Sequence, residues 1–234
     1  MLITAPWTFL SSWPVSRIQY RYLAAAFAVF ALSVFLLSLP FVFPVLYLGH
    51  VNWSGKLFSI VGVYTIILSR KRSDPAREFM TFRQKEGTLW QSLGIVLLLL
   101  LFSVAVSLLD SEGGRPPTDR ALLAYEATLP GIDEEAVFRA AFLRYVLAAA
   151  DGKPCGKGGR AFWRVAGPIS ASAMLFGLVH ALHVDAALHM HFDIATLAIA
   201  GTVGAGLALL TVNSGSILLP VIAHNLANLV ATLV

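Results

Sequence analysis

The sequence has one cysteine, few charges, and no polar stretch long enough to build a second, water-soluble domain. Cys155 is the only cysteine in 234 residues, so no disulfide can form within one chain. Its setting, Gly152-Lys-Pro-Cys-Gly-Lys-Gly-Gly159, reads as a cytoplasmic loop with a passive free thiol. The glycine-to-lysine spacing there also fails the phosphate-binding loop pattern. Charged residues make up 13% of the chain against 57% hydrophobic ones, with a mean hydropathy of +0.75. That balance excludes an ordinary soluble domain, whose core could not hide so much apolar surface. There is no H-E-x-x-H zinc-protease motif, no G-x-S-G of a serine intramembrane protease, no G-x-G-D of an aspartyl one, and no internal repeat. The N-terminus lacks a basic n-region and a small-residue cleavage site, so it is not expected to be a removable signal; Trp7 and Trp13 suit a membrane interface instead.

What the chain does have is apolar runs of bilayer length, for which roughly 20 residues are needed. Residues 22–39, 88–109, 165–182, 194–212 and 214–234 meet that requirement. Two weaker segments are 57–69, which is short and must borrow residues before Lys56, and 134–150, which is long enough but carries four charges. The expectation is an all-α polytopic transmembrane bundle of about seven spans, forming a single membrane domain over residues 1–234. Pro40 and Pro44 should end or kink the first span, because proline lacks an amide donor and clashes with the preceding turn.

Lys and Arg set the orientation. They gather at Arg17 and Arg21, at Arg70 to Lys85, and at Lys153 to Arg164, whereas Asp110, Glu112, Asp119, Glu126, Asp133, Asp185 and Asp193 occupy the other connections. Alternating spans put the basic clusters in the cytoplasm and the acidic connections outside. The formal charge of +4 is therefore a topology signal, and no nucleic-acid partner is expected.

Three constellations break the apolar runs: Glu134-Glu135 followed by Arg139, Phe176 followed by His180, and His224 followed by Asn228. Ionisable groups at such places are costly and functional by default. The charge-derived topology brings all three to similar depth in the outer half of the bilayer, at about 1.5 Å per helical residue. Glu135 and Arg139, four apart, can lie side by side and neutralise each other. Glu134, about 100° round the helix, is left to face a partner. Phe176 can pack on the His180 ring, and His224 and Asn228 share a face. A carboxylate, two imidazoles and a carboxamide can activate water, move protons and stabilise an oxyanion. Arg144 receives a structural role only. His183, His189 and His191, with Asp185 and Asp193, read as a solvated polar loop rather than a metal site.

E-E-x-x-x-R, F-x-x-x-H and H-x-x-x-N, in that order on apolar helices, resemble the three motifs of the CPBP family, the CAAX proteases and bacteriocin-processing enzymes also called ABI. The resemblance runs from about residue 119 to 234, the motif-bearing core, and includes Asn213-Ser214-Gly215-Ser216. It implies an intramembrane endopeptidase acting on a membrane-associated protein or lipidated peptide among membrane lipids. By analogy Glu134 activates water with help from His180, His224 and Asn228 stabilise the oxyanion, and Glu135, Arg139 and Phe176 support them. No cofactor is favoured; the alternative is zinc held by Glu134, His180 and His224. The outward-facing site favours processing of a C-terminal sorting or anchor segment of an exported protein in a prokaryotic cytoplasmic membrane. Competing readings are a CAAX prenyl-protein endopeptidase at the cytoplasmic face, a noncatalytic membrane scaffold, and a small transporter.

Overall fold

In a bilayer the backbone must satisfy its own hydrogen bonds, and apolar runs of this length do so as helices. The computed structural model of the chain describes residues 19–49, 51–110, 119–150, 159–184 and 189–234, with the side chains of Asp110 and of residues 159–164 left aside. Trp7, Trp13, Arg17, Glu112, Lys153, Cys155, Lys157 and Asp185 lie outside the described residues. In chain order the elements are α1 (Tyr20–Val42), α2 (Trp53–Ser69), α3 (Leu89–Asp110), α4 (Arg120–Glu126), α5 (Leu129–Glu135), a π-helical segment (Ala136–Leu143), α6 (Arg144–Ala149), α7 (Gly159–Ala181), β1 (Leu182–Val184), β2 (Met190–Phe192), α8 (Ile194–Ser214) and α9 (Leu218–Leu233).

Every predicted apolar segment is helical. Among the described residues, Tyr20–Val42, Leu89–Leu109 and Ile194–Ser214 are long and apolar enough to cross a membrane, while Trp53–Ser69, Val165–Ala181 and Leu218–Leu233 are apolar but shorter. The chain is an integral membrane protein. Its outer surface agrees: Phe35, Leu98 and Leu101 on α1 and α3 are exposed, as lipid-facing side chains should be.

The charged segment is the one at the centre. Leu129 to Ala149 forms one continuous helical run, starting five residues earlier than its apolar core suggests because Pro130, without an amide donor, suits a first turn. From Ala136 to Leu147 every side chain is buried. They pack against α1, α2, α7 and α8, so low hydropathy here marks a helix shielded from lipid rather than a failed span. α1 and α2 form an antiparallel pair tied by a Ser33–Ser59 hydroxyl bond of 2.8 Å. Asn52 links their ends, capping α2 through Gly55 N–H at 3.0 Å and donating to Leu37 O at 2.9 Å.

The two prolines bracket the end of the first span, as expected: α1 runs through Pro40 to Val42, Phe43 N–H bonds Leu39 O at 2.8 Å, and Pro44 opens a short 3-10 turn. A proline in a last turn costs a single ladder bond, which the helix tolerates. The His-rich loop holds a small antiparallel ribbon, β1 with β2, in which His183 faces His191 across the strands. Strands of three residues are too short to show alternation in sequence.

The described residues that flank the basic connections share one end of the bundle. Gln19 N–H bonds Ala149 O at 3.0 Å, Ile217 N–H bonds Phe79 O at 3.0 Å, and Lys85 N–H bonds Ser214 O at 2.7 Å. Arg144 Nε donates to Glu78 Oε2 at 2.8 Å, which gives this arginine its structural role. The Asn213-Ser214-Gly215-Ser216 stretch makes the turn between α8 and α9 at this end. Gly215, at φ +70°, closes α8 on Thr211 O, and Ser216 Oγ donates to Thr81 O.

Candidate active site

At the opposite end, four helices bring their polar groups together. Glu134 ends α5 next to the π segment, Lys56 lies in the first turn of α2, His180 is one residue from the end of α7, and His224 faces inward from the middle of α9. π-helical turns recur beside functional sites because the extra residue re-aims the side chains around it.

Glu134 uses its two oxygens differently. Oε1 accepts from Lys56 Nζ at 2.6 Å. Oε2 lies 3.8 Å from His180 Nε2 and 3.7 Å from His224 Nε2. Those separations are too long for direct hydrogen bonds and suit a bridging water. Both imidazoles are oriented through their other nitrogen. His180 Nδ1–H donates to Phe176 O at 2.8 Å, and His224 Nδ1–H donates to Glu135 Oε1 at 2.8 Å. Each Nε2 is therefore the atom left for chemistry.

Glu135 and Arg139 form the predicted pair, 3.1 Å apart and both fully buried. Arg139 also donates to Gly204 O at 3.2 Å, and its guanidinium lies 4.5 Å over the Phe176 ring. Phe176 meets the rings of His180 and His224 at centroid distances of 4.4 and 5.7 Å. It is a common wall for three site residues, which the four-residue spacing to His180 indicates only in part.

Asn228 is not brought to Glu134. Its Nδ2 donates to Glu126 Oε2 at 2.9 Å. Glu126 belongs to α4, in the connection before the central helix; burial raises its carboxyl pKa, against the Asn228 hydrogen bond that favours the charged form. Asn228 and Glu126 nevertheless line the same cavity of about 450 Å³ as Glu134, His180 and His224, between the central helix, α3, α8 and α9. A second cavity of about 310 Å³ opens between α1, α2 and α7, and Lys56, Glu134 and His180 line both.

Four polar residues of this region lie outside the motifs. In sequence Lys56 reads as an interruption of a weak span, yet its Nζ bonds both Glu134 and Asp133 Oδ2, the latter at 2.9 Å. Asp133 and Glu126 read only as acids of an outer connection. The signal for Lys56 was available: a lone lysine in an apolar helix meets the same criterion that singled out the histidines. Asn225, also unforeseen, holds the start of α5, accepting from Gly131 N–H at 2.8 Å and donating to Thr128 O at 3.0 Å.

Two imidazole nitrogens and a carboxylate oxygen are donors that zinc accepts. Among the described residues, however, no group of three or more His, Cys, Asp and Glu side chains has the arrangement to hold a metal ion. The Lys56 ammonium on Glu134 is a charge that a divalent cation would have to oppose.

Residues 116–230 match the family described as type II CAAX prenyl endopeptidase, Rce1-like. No curated protein and no solved structure matches the chain.

Proposed function

We infer that this chain, which belongs through residues 116–230 to the Rce1-like family of type II CAAX prenyl endopeptidases, hydrolyses its peptide bond with a water activated by Glu134. The CAAX-type endopeptidase activity follows from the family; the residue roles and the substrate are our reading. The observation that carries it is the convergence of Glu134 Oε2 on the Nε2 atoms of His180 and His224, at 3.8 and 3.7 Å.

A water between these atoms can lose a proton to Glu134 Oε2 while its oxygen attacks the scissile carbonyl, with His180 Nε2 orienting it. The carbonyl oxygen becomes the oxyanion, stabilised from α9 by the second Nδ2–H of Asn228 and by His224 Nε2 when that nitrogen also carries a proton. The proton held by Glu134 passes to the amine as the C–N bond breaks, so one water is consumed and no covalent intermediate forms. Glu135, Arg139 and Phe176 keep the two rings in place. The metal-free form of this reaction is favoured by Lys56, whose ammonium gives the carboxylate its counter-charge.

The substrate is a membrane-associated protein presented within the bilayer among lipids. The site lies at the end of the bundle away from the basic connections, and the positive-inside bias makes that end noncytoplasmic in a prokaryotic cytoplasmic membrane. We therefore favour removal of a C-terminal sorting or anchor segment from an exported protein; the family's description favours a prenylated CAAX peptide, the second reading.

Purified Glu134→Ala and His180→Ala should be abundant and folded but should not cleave either peptide, by mass spectrometry of products, and wild-type turnover should survive chelator treatment. A noncatalytic scaffold or transporter predicts no cleavage by the wild-type protein. Loss of wild-type turnover with chelator, restored by zinc, would revive the metal-ligand role of Glu134, His180 and His224.

A further inference from the structure

Lys56 stands outside the matched residues, in the half of the chain that carries no family motif. It is nevertheless buried at 8% exposure, its ammonium 2.6 Å from Glu134 Oε1 and 2.9 Å from Asp133 Oδ2. A charged side chain taken out of water persists only when paired, and here the pairing is directional. Asp133 holds the ammonium from one side. The ammonium then takes one oxygen of Glu134, which fixes the rotation of the carboxylate and leaves Oε2 between the two imidazoles.

We propose that Lys56 is a positioning residue for Glu134, supplied by the motif-free half of the chain: it locks the carboxylate plane and supplies its counter-charge, so that Oε2 is aimed to accept a proton from water. This rests on the glutamate-activated-water reading above. Among the described residues, the other charged or titratable groups acting on Glu134 are His180 from α7, His224 from α9, Asp133 beside it on α5, Tyr125 and Glu126 from α4, and Arg139 from the π segment; Lys56 is the cation bonded to its carboxylate. A purely structural lysine would serve only to neutralise Asp133 and Glu134. The two roles separate experimentally.

With fluorogenic forms of both peptides, the sorting-segment one and the farnesylated CAAX one, Lys56→Met should lower kcat about 100-fold for whichever the wild type cleaves, the cost of a small misplacement of a reacting group, with KM little changed. Lys56→Arg, which keeps a cation, should recover part of kcat. In Lys56→Met/Asp133→Asn one uncompensated carboxylate is gone, so thermal stability should return while kcat stays low. Dicyclohexylcarbodiimide, which labels protonated carboxyls in apolar surroundings, supplies a readout that needs no substrate: Glu134 should be labelled in Lys56→Met and spared in the wild type and in Lys56→Arg. Equal labelling of all three, wild-type kcat in Lys56→Met, or recovery of kcat in the double variant would overturn the positioning role. A wild-type protein that cleaves nothing, with the labelling difference intact, would instead remove the peptidase reading and leave the Lys56–Glu134 coupling standing.

Discussion

Arg139 sits where a guanidinium has most to lose. It is wholly buried, with the Glu135 carboxylate 3.1 Å away, the Gly204 carbonyl at 3.2 Å and the Phe176 ring beneath it. On a wet surface such an i,i+4 pair would contribute little. Enclosed, removal of one partner leaves a buried charge uncompensated, at about 3–5 kcal/mol. Arg139→Ala should therefore unfold at a clearly lower temperature in detergent and lose activity as well, since Glu135 also orients His224. Wild-type thermal stability in this variant would show that the pair is solvated. Most of this geometry was legible in the spacing of the motif residues, because four-residue intervals put side chains on one helix face. Asp133 and Glu126 were not, since their importance depends on which helices become neighbours, and a run of apolar residues does not encode that; Lys56 carries a signal as a lone lysine in an apolar helix, but its partners depend on the same neighbours.

Close helix approach governs the next scale. A Cβ built on Gly177 in α7 would lie 2.8 Å from Leu197 O and 3.1 Å from Gly201 N, both backbone atoms of α8. Backbone cannot yield as a side chain can, so small residues are what let these two helices meet, as in other membrane bundles. Gly177→Ala should push α7 away from α8 at about 1–3 kcal/mol of overpacking. Because His180 lies one turn further along α7, the same change should lower turnover. Thermal unfolding and peptide cleavage measured together would check this; unchanged values for both would mean the helices accommodate a methyl group without moving the imidazole. The apolar segments themselves were readable from sequence, since length and hydropathy suffice for that. The π turn in the central helix was not: inserting one residue into the ladder is decided by the fit of Ala136 to Leu143 among four neighbours, and no local propensity records it.

At the scale of the whole molecule, the backbone bonds joining Gln19, Phe79, Lys85, Ala149, Ser214 and Ile217 put the basic connections at one end, as the distribution of Lys and Arg anticipates. Which side of the membrane that end faces sets the substrate. With Cys155 replaced by Ser, a cysteine at the exposed Ser73 should be protected from a membrane-impermeant maleimide in intact cells, and one at the exposed Ala121 should be labelled. The opposite pattern would invert the bundle and make the prenylated cytoplasmic substrate the favoured one. Sequence could order the ends but could not show that the residues before the matched region share a core with those inside it, in which Ala26, Val63 and Phe79 pack with Val137, Phe142 and Leu147.

The two cavities meeting at Lys56, Glu134 and His180 also bear on supply. On the hydrolysis proposed above, each turnover consumes a water molecule in a place walled mostly by hydrocarbon. With one doorway, a seated peptide would cork it and the reaction would stall for want of its second reactant. Two openings onto the same carboxylate let the peptide enter by one and the solvent by the other, so tight seating of the chain and hydration of the glutamate need not compete.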